Sequence, residues 1–498
     1  MVDSANRTVF ENLIIRDCNN TALLVENEAE EVNPFETQGV PENAPDETER
    51  LDITVRNVDF IGNAATDDEN PAGAFVAMER VHAALIGCRF VRNVGATGGA
   101  VAFSGDSLKV EECDFARNNA RNSGGAISAD LTTREQEEES VTSVTISNCS
   151  FSSNRVLEGS EDSLGLTVGR LAPLETNRYF AFPLPARSGG AIFVAGFDQL
   201  RLEVSNFTKN SAVPAGGAVY LGDSGEVTIV ECRFVGNSVS APSTSSEDSD
   251  LRQGGALFAA FVDRQSTLDI ERCLFVDNSA SYGGALHFVG PTDAEFRLEN
   301  SELRGNEASS GGGAAVFRNA DAPEIYQTAF SNNTAYVGGA ILITNGAGLS
   351  LPRGTSAAAE SRFVNNVAHD GGAIFGIGGG TLKPFGTIFE RNKAERNGGA
   401  LCYIDSKAAG DLRVQHTRML RNRARNGGAI YVESVSSFSI ARGGNDPNEQ
   451  IDQELVYVSG NQFEEYVCSH KCDSVLTFCF AGIKPSRAEP STTVLRAW

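Results

Sequence analysis

The stretch Phe330–Ile343, FSNNTAYVGGAILI, contains the two short motifs from which the fold of this chain follows. In the first motif Phe330 precedes Asn333 by three residues, and in the second Gly338 and Gly339 are followed by alanine and three aliphatic residues. Both motifs recur in strict alternation along most of the 498 residues. The complete unit repeats about every 25–30 residues, which is the period of a solenoid.

The repeat predicts the fold class. Further copies of the first motif have their first and last residues at Phe60/Asn63, Phe90/Asn93, Phe115/Asn118, Phe151/Asn154, Phe207/Asn210, Phe234/Asn237, Phe275/Asn278, Leu303/Asn306, Phe363/Asn366, Phe389/Asn392 and Met419/Asn422. A period of this length with strand-like alternation suits a coil of two or three short strands. Helical repeats are disfavoured, because a glycine pair in every unit would cost each helix about 1 kcal/mol per glycine. The sequence therefore predicts an all-β, right-handed parallel β-helix, a pectin-lyase-like solenoid of about 12–13 coils.

Each motif position has a physical role in such a coil. The phenylalanine points inward and stacks on its counterpart one coil away, about 4.8 Å distant. The asparagine sits at a corner, where it tolerates left-handed backbone angles and its amide bonds to the neighbours above and below. The glycine pair permits positive φ and a close approach of successive coils. We expect the structural ladder to include Phe90, Asn93, Phe115, Asn118, Phe234, Asn237, Phe275, Asn278, Asn333, Phe363, Asn366, Gly98, Gly99, Gly283, Gly284, Gly338 and Gly339.

The position two residues before the phenylalanine is cysteine in five repeats and mostly serine or threonine elsewhere. The five are Cys88, Cys113, Cys149, Cys232 and Cys273. Side chains one strand apart hold their Cβ atoms about 4.8 Å apart, beyond the usual disulfide range of about 3.5–4.5 Å. This spacing favours reduced, inward-facing core fillers over a disulfide framework.

Composition and charge narrow the classes of partner. The formal net charge of −24 disfavours binding to nucleic acid or to an anionic membrane. No apolar run approaches the roughly 18–20 residues that span a bilayer, so we expect no membrane insertion by this segment. Residues 1–20 are polar and show no signal peptide, and we expect the chain to be part of a longer one, since a solenoid normally carries a cap.

Alternating GGA(I/L/V) and FxxN tetrapeptides over residues 58–432 resemble the repeats of polymorphic outer membrane proteins, best known from chlamydial autotransporter adhesins. The resemblance implies a parallel β-helix passenger that is displayed outside a cell and works in attachment. It implies a host or neighbouring cell-surface glycan or protein as partner. The expected location is extracellular or at the cell surface, at the outer membrane if the chain is part of a longer autotransporter.

Two insertions, residues 155–188 and 238–253, interrupt the repeat at the same point, between the corner asparagine and the glycine pair. We expect both to emerge from one edge of the rod, with a single coil between them. The first contains Tyr179, Phe180 and Phe182 among prolines, which makes it a candidate contact for a partner. Tolerated loops without a function are the alternative.

One cluster of cations stands out against the acidic background. We expect three cations of one repeat to stack on three of the next, namely Arg391, Lys393 and Arg396 on Arg421, Arg423 and Arg425. Such a stripe would capture a sulfated or carboxylated glycan through charge-assisted contacts. A solvated turn that is partly neutralised by Glu395 and nearby acids is the alternative.

The composition predicts three parts: N-terminal coils with an acidic loop in residues 1–57, the repeat domain in 58–440, and a terminal coil with a tail in 441–498. The tail contains Cys468, His470, Cys472 and Cys479, for which zinc binding by these four groups, local disulfides and free thiols all stay open. Calcium loops and calcium-binding nonapeptide repeats are missing from the sequence, so we expect no metal and no cofactor.

Parallel β-helices also carry polysaccharide lyases and hydrolases, so catalysis needs a separate argument. An inverting hydrolase needs two acids about 6.5–9.5 Å apart, which here means acids at matching positions of adjacent coils. The aligned motif positions hold structural residues and indicate no such pair, and His369-Asp370 is the only pairing of a histidine with a neighbouring acid. We therefore expect a non-catalytic extracellular adhesin or binding module, with a carbohydrate-active enzyme and a passive structural spacer as alternatives.

Overall fold

A computed structural model of the chain describes residues 7–26, 50–65, 72–78, 80–132, 141–157, 188–240, 252–261, 266–291, 294–320, 323–352, 360–405, 410–433, 435, 437–441, 456–458, 477–480 and 493–496. Throughout these ranges the regular structure consists of β-strands and contains no α-helix. The strands form four long sheets, in which each strand pairs with its counterpart one coil later in the chain. The molecule is a right-handed parallel β-helix, as the repeat predicts.

Each complete coil passes through the four sheets in a fixed order, and we number the sheets 1 to 4 in that order. The sequence predicted two or three strands per coil, whereas the structure has four. The additional strand is the short one of sheet 3, between the asparagine and the glycine pair. We number the coils by the 13 strands of sheet 2, so that coil 1 contains Ile14–Arg16 and coil 13 contains Arg418–Leu420. The domain boundaries drawn from composition stay a prediction.

Sheets 1 and 2 contain the strands that precede the ladder asparagine in each coil. Sheet 1 contains Arg7–Glu11, Leu51–Arg56, Val81–Ile86, Ser107–Glu111, Ser143–Ser147, Gln199–Glu203, Glu226–Val230, Thr267–Glu271, Glu295–Glu299, Glu324–Tyr326, Leu349–Leu351, Thr381–Pro384, Asp411–Gln415 and Ser437–Ala441. Sheet 2 contains Ile14–Arg16, Asp59–Ile61, Arg89–Val91, Asp114–Ala116, Ser150–Ser152, Asn206–Thr208, Arg233–Val235, Leu274–Val276, Glu302–Arg304, Ala329–Ser331, Arg362–Val364, Ile388–Glu390 and Arg418–Leu420.

The other two sheets flank the glycine pairs. Sheet 3 contains Val94–Thr97, Asn119–Ser123, Arg155–Val156, Ser211–Ala212, Ser238–Val239, Ser279–Tyr282, Glu307–Gly311, Thr334–Val337, Val367–Asp370 and Lys393–Asn397. Sheet 4 contains Leu23–Glu26, Phe75–Met78, Val101–Ser104, Ile127–Asp130, Ile192–Ala195, Val219–Leu221, Leu257–Ala260, Leu286–Val289, Ala315–Arg318, Ile341–Thr344, Ile374–Ile377, Leu401–Ile404, Ile430–Glu433, Val456–Val458, Thr477–Phe480 and Thr493–Arg496. The last two strands are antiparallel and all other pairs are parallel.

The asparagine column is a continuous hydrogen-bonded ladder, as predicted. Asn333 donates from its backbone N–H and from Nδ2 to Oδ1 of Asn366, both at 3.0 Å. Its Nδ2 also donates to the carbonyl oxygen of Leu303 in the preceding coil. The same bonds recur from Asn63 to Asn422, with donor–acceptor distances of 2.9–3.1 Å for the side-chain pairs. Every amide from Asn63 to Asn392 is therefore both anchored to the backbone of the preceding coil and bonded to the asparagine of the next coil.

The phenylalanines of sheet 2 form a column of stacked rings in the core. From Phe60 to Phe275 the neighbouring ring centroids lie 4.6–4.9 Å apart, with ring planes within 6° of each other. Leu303 interrupts the column, which resumes from Phe330 to Phe389. The stacking that the sequence predicts is confirmed.

The left-handed backbone at the corner is not at the asparagine, and that detail of the prediction is wrong. It lies at the preceding residue, as at Arg117 with φ 57° and Arg391 with φ 54°. This residue turns the chain so that the following asparagine points into the ladder. Because its own side chain points away from the core, almost any residue type is found there.

The two glycines of each pair have different structural roles. Gly338 has φ 61°, a conformation that costs other residues free energy. Gly339 does not, but a Cβ atom added to it would overlap the carbonyl oxygen of Gly372. The second glycine therefore allows the close approach of successive coils that the sequence predicts.

The cysteine position forms a second ladder that the sequence analysis treated only as packing. The backbone N–H of Cys88 donates to Sγ of Cys113 at 3.3 Å, and that of Cys113 donates to Sγ of Cys149 at 3.4 Å. In the next coil Ser205 Oγ accepts the same bond, which explains why cysteine, serine and threonine exchange here. These thiols are free and buried. Hydrogen bonds to its two neighbouring thiols, together with burial, raise the pKa of Cys113 far above its ordinary value.

Replacing Asn333 with alanine should lower the free energy of unfolding by about 1–3 kcal/mol, because buried donors and acceptors on both sides lose their partner. Thr334→Ala, at the adjacent exposed position, is the control and should leave stability nearly unchanged. Urea denaturation followed by circular dichroism measures both. Equal midpoints for the two variants would contradict the role of the ladder.

Gly339→Ala should destabilise the protein by about 3 kcal/mol, since the added methyl group must displace the neighbouring coil. Gly236→Ala is the matched control, at a corner where an added Cβ meets only Lys209 Cγ at 3.7 Å. Because Lys209 and Asp277 occupy the same corner in adjacent coils, this variant should cost only about 1 kcal/mol. The same denaturation assay would reject the close-approach argument if Gly236→Ala were the more damaging change.

Candidate functional site

The six cations singled out from the sequence lie at the corner between sheets 2 and 3 of coils 12 and 13 and along the sheet 3 segment that follows. All six are exposed: Arg391, Lys393, Arg396, Arg421, Arg423 and Arg425. The positive φ of Arg391 and Arg421 directs these two side chains outward at the corner itself. The cations therefore form one surface, which we call the basic corner.

The register agrees with two of the three predicted pairs in full and with the third in part. The backbone N–H of Arg391 donates to Leu420, which places Arg391 beside Arg421, and Lys393 pairs with Arg423. In the third pair Arg396 also lies opposite Arg425, but it shares that place with Glu395. Coil 12 has one residue more than coil 13 before the glycines, so Glu395 and Arg396 both lie opposite Arg425.

Two of the six cations are neutralised by acids. Arg391 Nη1 lies 3.0 Å from Glu390 Oε1, and Arg396 makes a bidentate pair with Asp370 at 3.1 and 2.8 Å. Glu395 forms no ion pair within the described ranges, so it is not the neutralising group. The other four cations also lack an ion pair in the part of the chain that the structure describes, so most of the charge of the basic corner is available to a ligand.

Next to the basic corner, sheet 3 carries an aromatic pair that the sequence analysis missed, the exposed Tyr336 and the half-buried His369. The rings of Tyr336 and His369 stack with centroids 4.9 Å apart and planes 9° apart. His369 Nδ1 lies 2.9 Å from Oδ2 of Asp370, the carboxylate that also holds Arg396. The sequence signal that could have revealed this pair is the position that Tyr336 and His369 share, three residues after the ladder asparagine in successive repeats.

A second group of cations occupies the same corner near the other end of the described rod. Arg92 and Arg117 are the corner residues of coils 3 and 4, and Lys209 has the same position in coil 6. Arg92 and Arg117 are exposed and make no ion pair in the described ranges. These residues provide a natural control for the basic corner, because they share its backbone geometry but lie far from the aromatic pair.

The strands that flank the two insertions are in register. Arg155 pairs with Ser211 and Ser211 with Ser238, so coil 6 alone separates the points at which the insertions leave sheet 3. The predicted common edge is confirmed for these flanks. Tyr179, Phe180 and Phe182 lie outside the described residues.

The C-terminal cysteines cannot be placed. Cys468 and Cys472 lie outside the described residues, as does the side chain of Cys479. Where side chains are described, no group of three or more His, Cys, Asp and Glu is arranged to hold a metal ion. The same ranges contain no helix that is long and apolar enough to cross a membrane.

The outer face of sheet 1 corrects one statement made from the sequence. Register places Glu271 directly beside Glu299, so acids do occupy matching positions of adjacent coils, outside the motifs. Each is paired with an arginine, Arg272 and Arg297 respectively. Nearby, partial desolvation raises the pKa of Asp269, which the charges of Glu295, Glu226 and Glu271 reinforce and that of Arg297 opposes.

The outward side of sheet 4 contains a buried polar residue within an aromatic column. His287 follows Phe258 in this column, with ring centroids 5.5 Å apart, and is fully buried. Among the described residues, neither of its ring nitrogens has a hydrogen-bond partner of ordinary geometry. Burial, with a smaller contribution from the Arg318 charge, lowers the pKa of His287 to about 3. The imidazole is therefore neutral at physiological pH.

Comparison with known proteins agrees with the observed architecture. A family model described as "Right handed beta helix region" matches residues 78–335, which is more than half of the chain. The chain belongs to the right-handed beta helix family. The matched residues contain coils 3 to 9 in full. They include most of the phenylalanine column of sheet 2 and the aromatic column of sheet 4.

This right-handed beta helix protein is also similar to the "Probable autotransporter YfaL" of Escherichia coli (strain K12), with 31% identity over 139 residues. The aligned part is 27% of this chain and 10% of the autotransporter. The chain thus matches only about a tenth of that protein's length. No solved structure matches the chain significantly.

The neutral, buried His287 should make stability depend on pH. Its folded pKa is depressed, so the unfolded chain binds a proton more readily, and stability falls as the pH drops below the ordinary histidine value of about 6.5. Between pH 7 and pH 5 the loss from this residue should be about 2 kcal/mol. His287→Phe, and His287→Leu as a second variant, should remove that part of the pH response.

Urea denaturation at both pH values measures the difference between each variant and the parent chain. Phe258→Leu, an apolar change in the same column, is the control and should keep the parental pH response. An unchanged response in both His287 variants would contradict the burial of a neutral imidazole.

Proposed function

We propose that this chain is a non-catalytic, surface-displayed binding module that attaches a cell to a glycan or protein on a host or neighbouring cell. The β-helix fold and the similarity to a probable autotransporter support display outside the cell. The observation that carries the proposal is the basic corner. Lys393, Arg421, Arg423 and Arg425 are exposed there, and no ion pair engages them within the described residues, on a chain of net charge −24.

The scaffold also suits attachment. Parallel ladders and stacked rings fix the backbone of each coil against the next, so outward side chains are held at strand spacing on a stiff support. A preorganised surface loses little conformational entropy when it binds a partner. The two insertions add a second kind of surface at one edge of the same support.

A carbohydrate-active enzyme is the second candidate, and one observation favours it. Glu271 and Glu299 lie side by side on the outer face of sheet 1, next to Asp269 with its raised pKa. Two carboxylates with different proton affinities are what glycoside hydrolysis requires. Against this, arginines already pair with both glutamates, which favours a solvated network of ion pairs.

Beads coated with the full chain test attachment directly. They should adhere to cells that carry intact surface glycans and proteins, and adhesion should exceed that of beads coated with an inert acidic protein of similar net charge. Microscopy or flow cytometry counts the bound beads. Equal adhesion of both bead types, with a normal β-sheet circular dichroism spectrum, would refute the binding role and leave a structural spacer.

Release of reducing ends from polygalacturonate and other polymers tests the enzyme alternative in the same preparation. We expect no release above the heat-inactivated sample. Turnover that Glu271→Gln abolishes, and that Glu111→Gln at the equivalent position of coil 4 preserves, would overturn the non-catalytic assignment.

A further inference from the structure

The aromatic pair and the basic corner form one continuous surface on sheet 3. Thr334, Val367, Lys393 and Arg423 are successive members of a single exposed column, in coils 10 to 13. Tyr336 and His369 lie two residues further along the first two of these strands. The aromatic residues therefore lie in coils 10 and 11 and the cations in coils 12 and 13 of the same surface, at strand spacing.

Tyr336 is the only aromatic among the exposed large hydrophobic residues of the described ranges, with 58% of its surface accessible. One face of its ring stacks on His369. On the other side, the residues of coil 9 that lie opposite Tyr336 are Ser309 and Ser310, which have small side chains. An aromatic ring held in this way offers a flat apolar face to the C–H side of a sugar ring.

Asp370 orients the polar groups beside this ring. Its carboxylate is 3% exposed, yet it binds both His369 and the guanidinium of Arg396. Arg396 is 56% exposed, and Nη1 takes no part in its two bonds to Asp370. A buried acid thus fixes an exposed arginine in one direction, which is the arrangement that favours directional contacts to a carboxylate or sulfate.

We propose that this surface, made of Tyr336, His369, Arg396, Lys393 and Arg423, is the binding site for an anionic polysaccharide, with a sugar ring on Tyr336 and acidic substituents on the cations. The inference rests on the proposed attachment function and names its ligand class. The net charge of −24 repels any polyanion at long range, but salt screens charges beyond about 8 Å at physiological ionic strength, so the contacts made at this surface decide whether an anionic polysaccharide binds.

The arrangement favours a sugar chain over nucleic acid. Single strands bind to several aromatic platforms in succession, whereas this surface offers one exposed aromatic residue with a histidine partner. Four coils are also short compared with the extended phosphate contacts that dominate nucleic-acid affinity. An oligosaccharide with one ring on Tyr336 and two or three acidic groups matches the observed spacing.

The experiment measures binding of the full chain to immobilised heparin, polygalacturonate and uncharged dextran by biolayer interferometry. Heparin and polygalacturonate distinguish sulfate from carboxylate as the recognised group. Two variants remove the site: Tyr336→Ser, and the pair Lys393→Ser with Arg423→Ser. Serine is the residue that coils 6 to 8 carry in the Lys393 column, so the fold should tolerate it.

The control is Arg92→Ser with Arg117→Ser, which removes the same charge from the same kind of corner far from the aromatic pair. We expect at least one of the two anionic polymers to bind and dextran not to bind. Affinity should fall about tenfold or more in each site variant and less than about twofold in the control.

Three results would overturn the inference: equal losses in site variants and control, stronger binding of single-stranded DNA than of either polymer, or no loss in the site variants. Adhesion of coated beads to cells distinguishes a failure of the proposed binding site from a failure of the attachment function. If beads carrying the Tyr336→Ser chain adhere to cells as well as the parent does, the attachment function stands and the site is wrong. If neither bead type adheres, the attachment function fails.

Discussion

The hydrogen bond from one asparagine amide to the next is the interaction on which the rest of the structure depends. It requires each coil to sit directly above its predecessor, because Nδ2 and the backbone N–H must both reach one Oδ1 atom. Once the corner is fixed in this way, the phenylalanine three residues earlier lies directly above its counterpart and stacks on it. The second glycine then has to pass close to the next coil, which leaves no space for a side chain.

The period of the motifs was enough to predict the parallel β-helix, the ring column, the ladder and the role of the glycine pair. These features repeat in every coil, so their neighbours can be read by aligning one repeat on the next. The corner conformation was misplaced, because Asn392 was credited with the positive φ that Arg391 adopts. Both positions are polar, and only backbone geometry distinguishes them.

The candidate site was harder to predict, since its contacts cross between coils at positions outside the motifs. Glu271 and Glu299 each lie four residues before the motif residue of their repeat, Phe275 and Leu303, but this position was not compared between repeats. Tyr336 and His369 also share one position, three residues after the ladder asparagine, and were missed because that position lies outside the motifs, whereas Lys393 and Arg423 directly follow ladder asparagines and were found. The offset of Arg396 came from a single extra residue in one coil. Sequence reasoning therefore located the charge but not its aromatic and acidic neighbours.

The ladder also affects how the number of coils in such a β-helix can change during evolution. Each coil offers the same acceptor on one side and the same donors on the other, so the junction between any two coils is chemically equivalent to every other junction. A whole repeat can be duplicated or lost, and the exposed ends of the remaining pieces still match. Length is therefore a property that recombination within the gene can change without redesign of the core, while the outward residues of a copied coil are free to diverge.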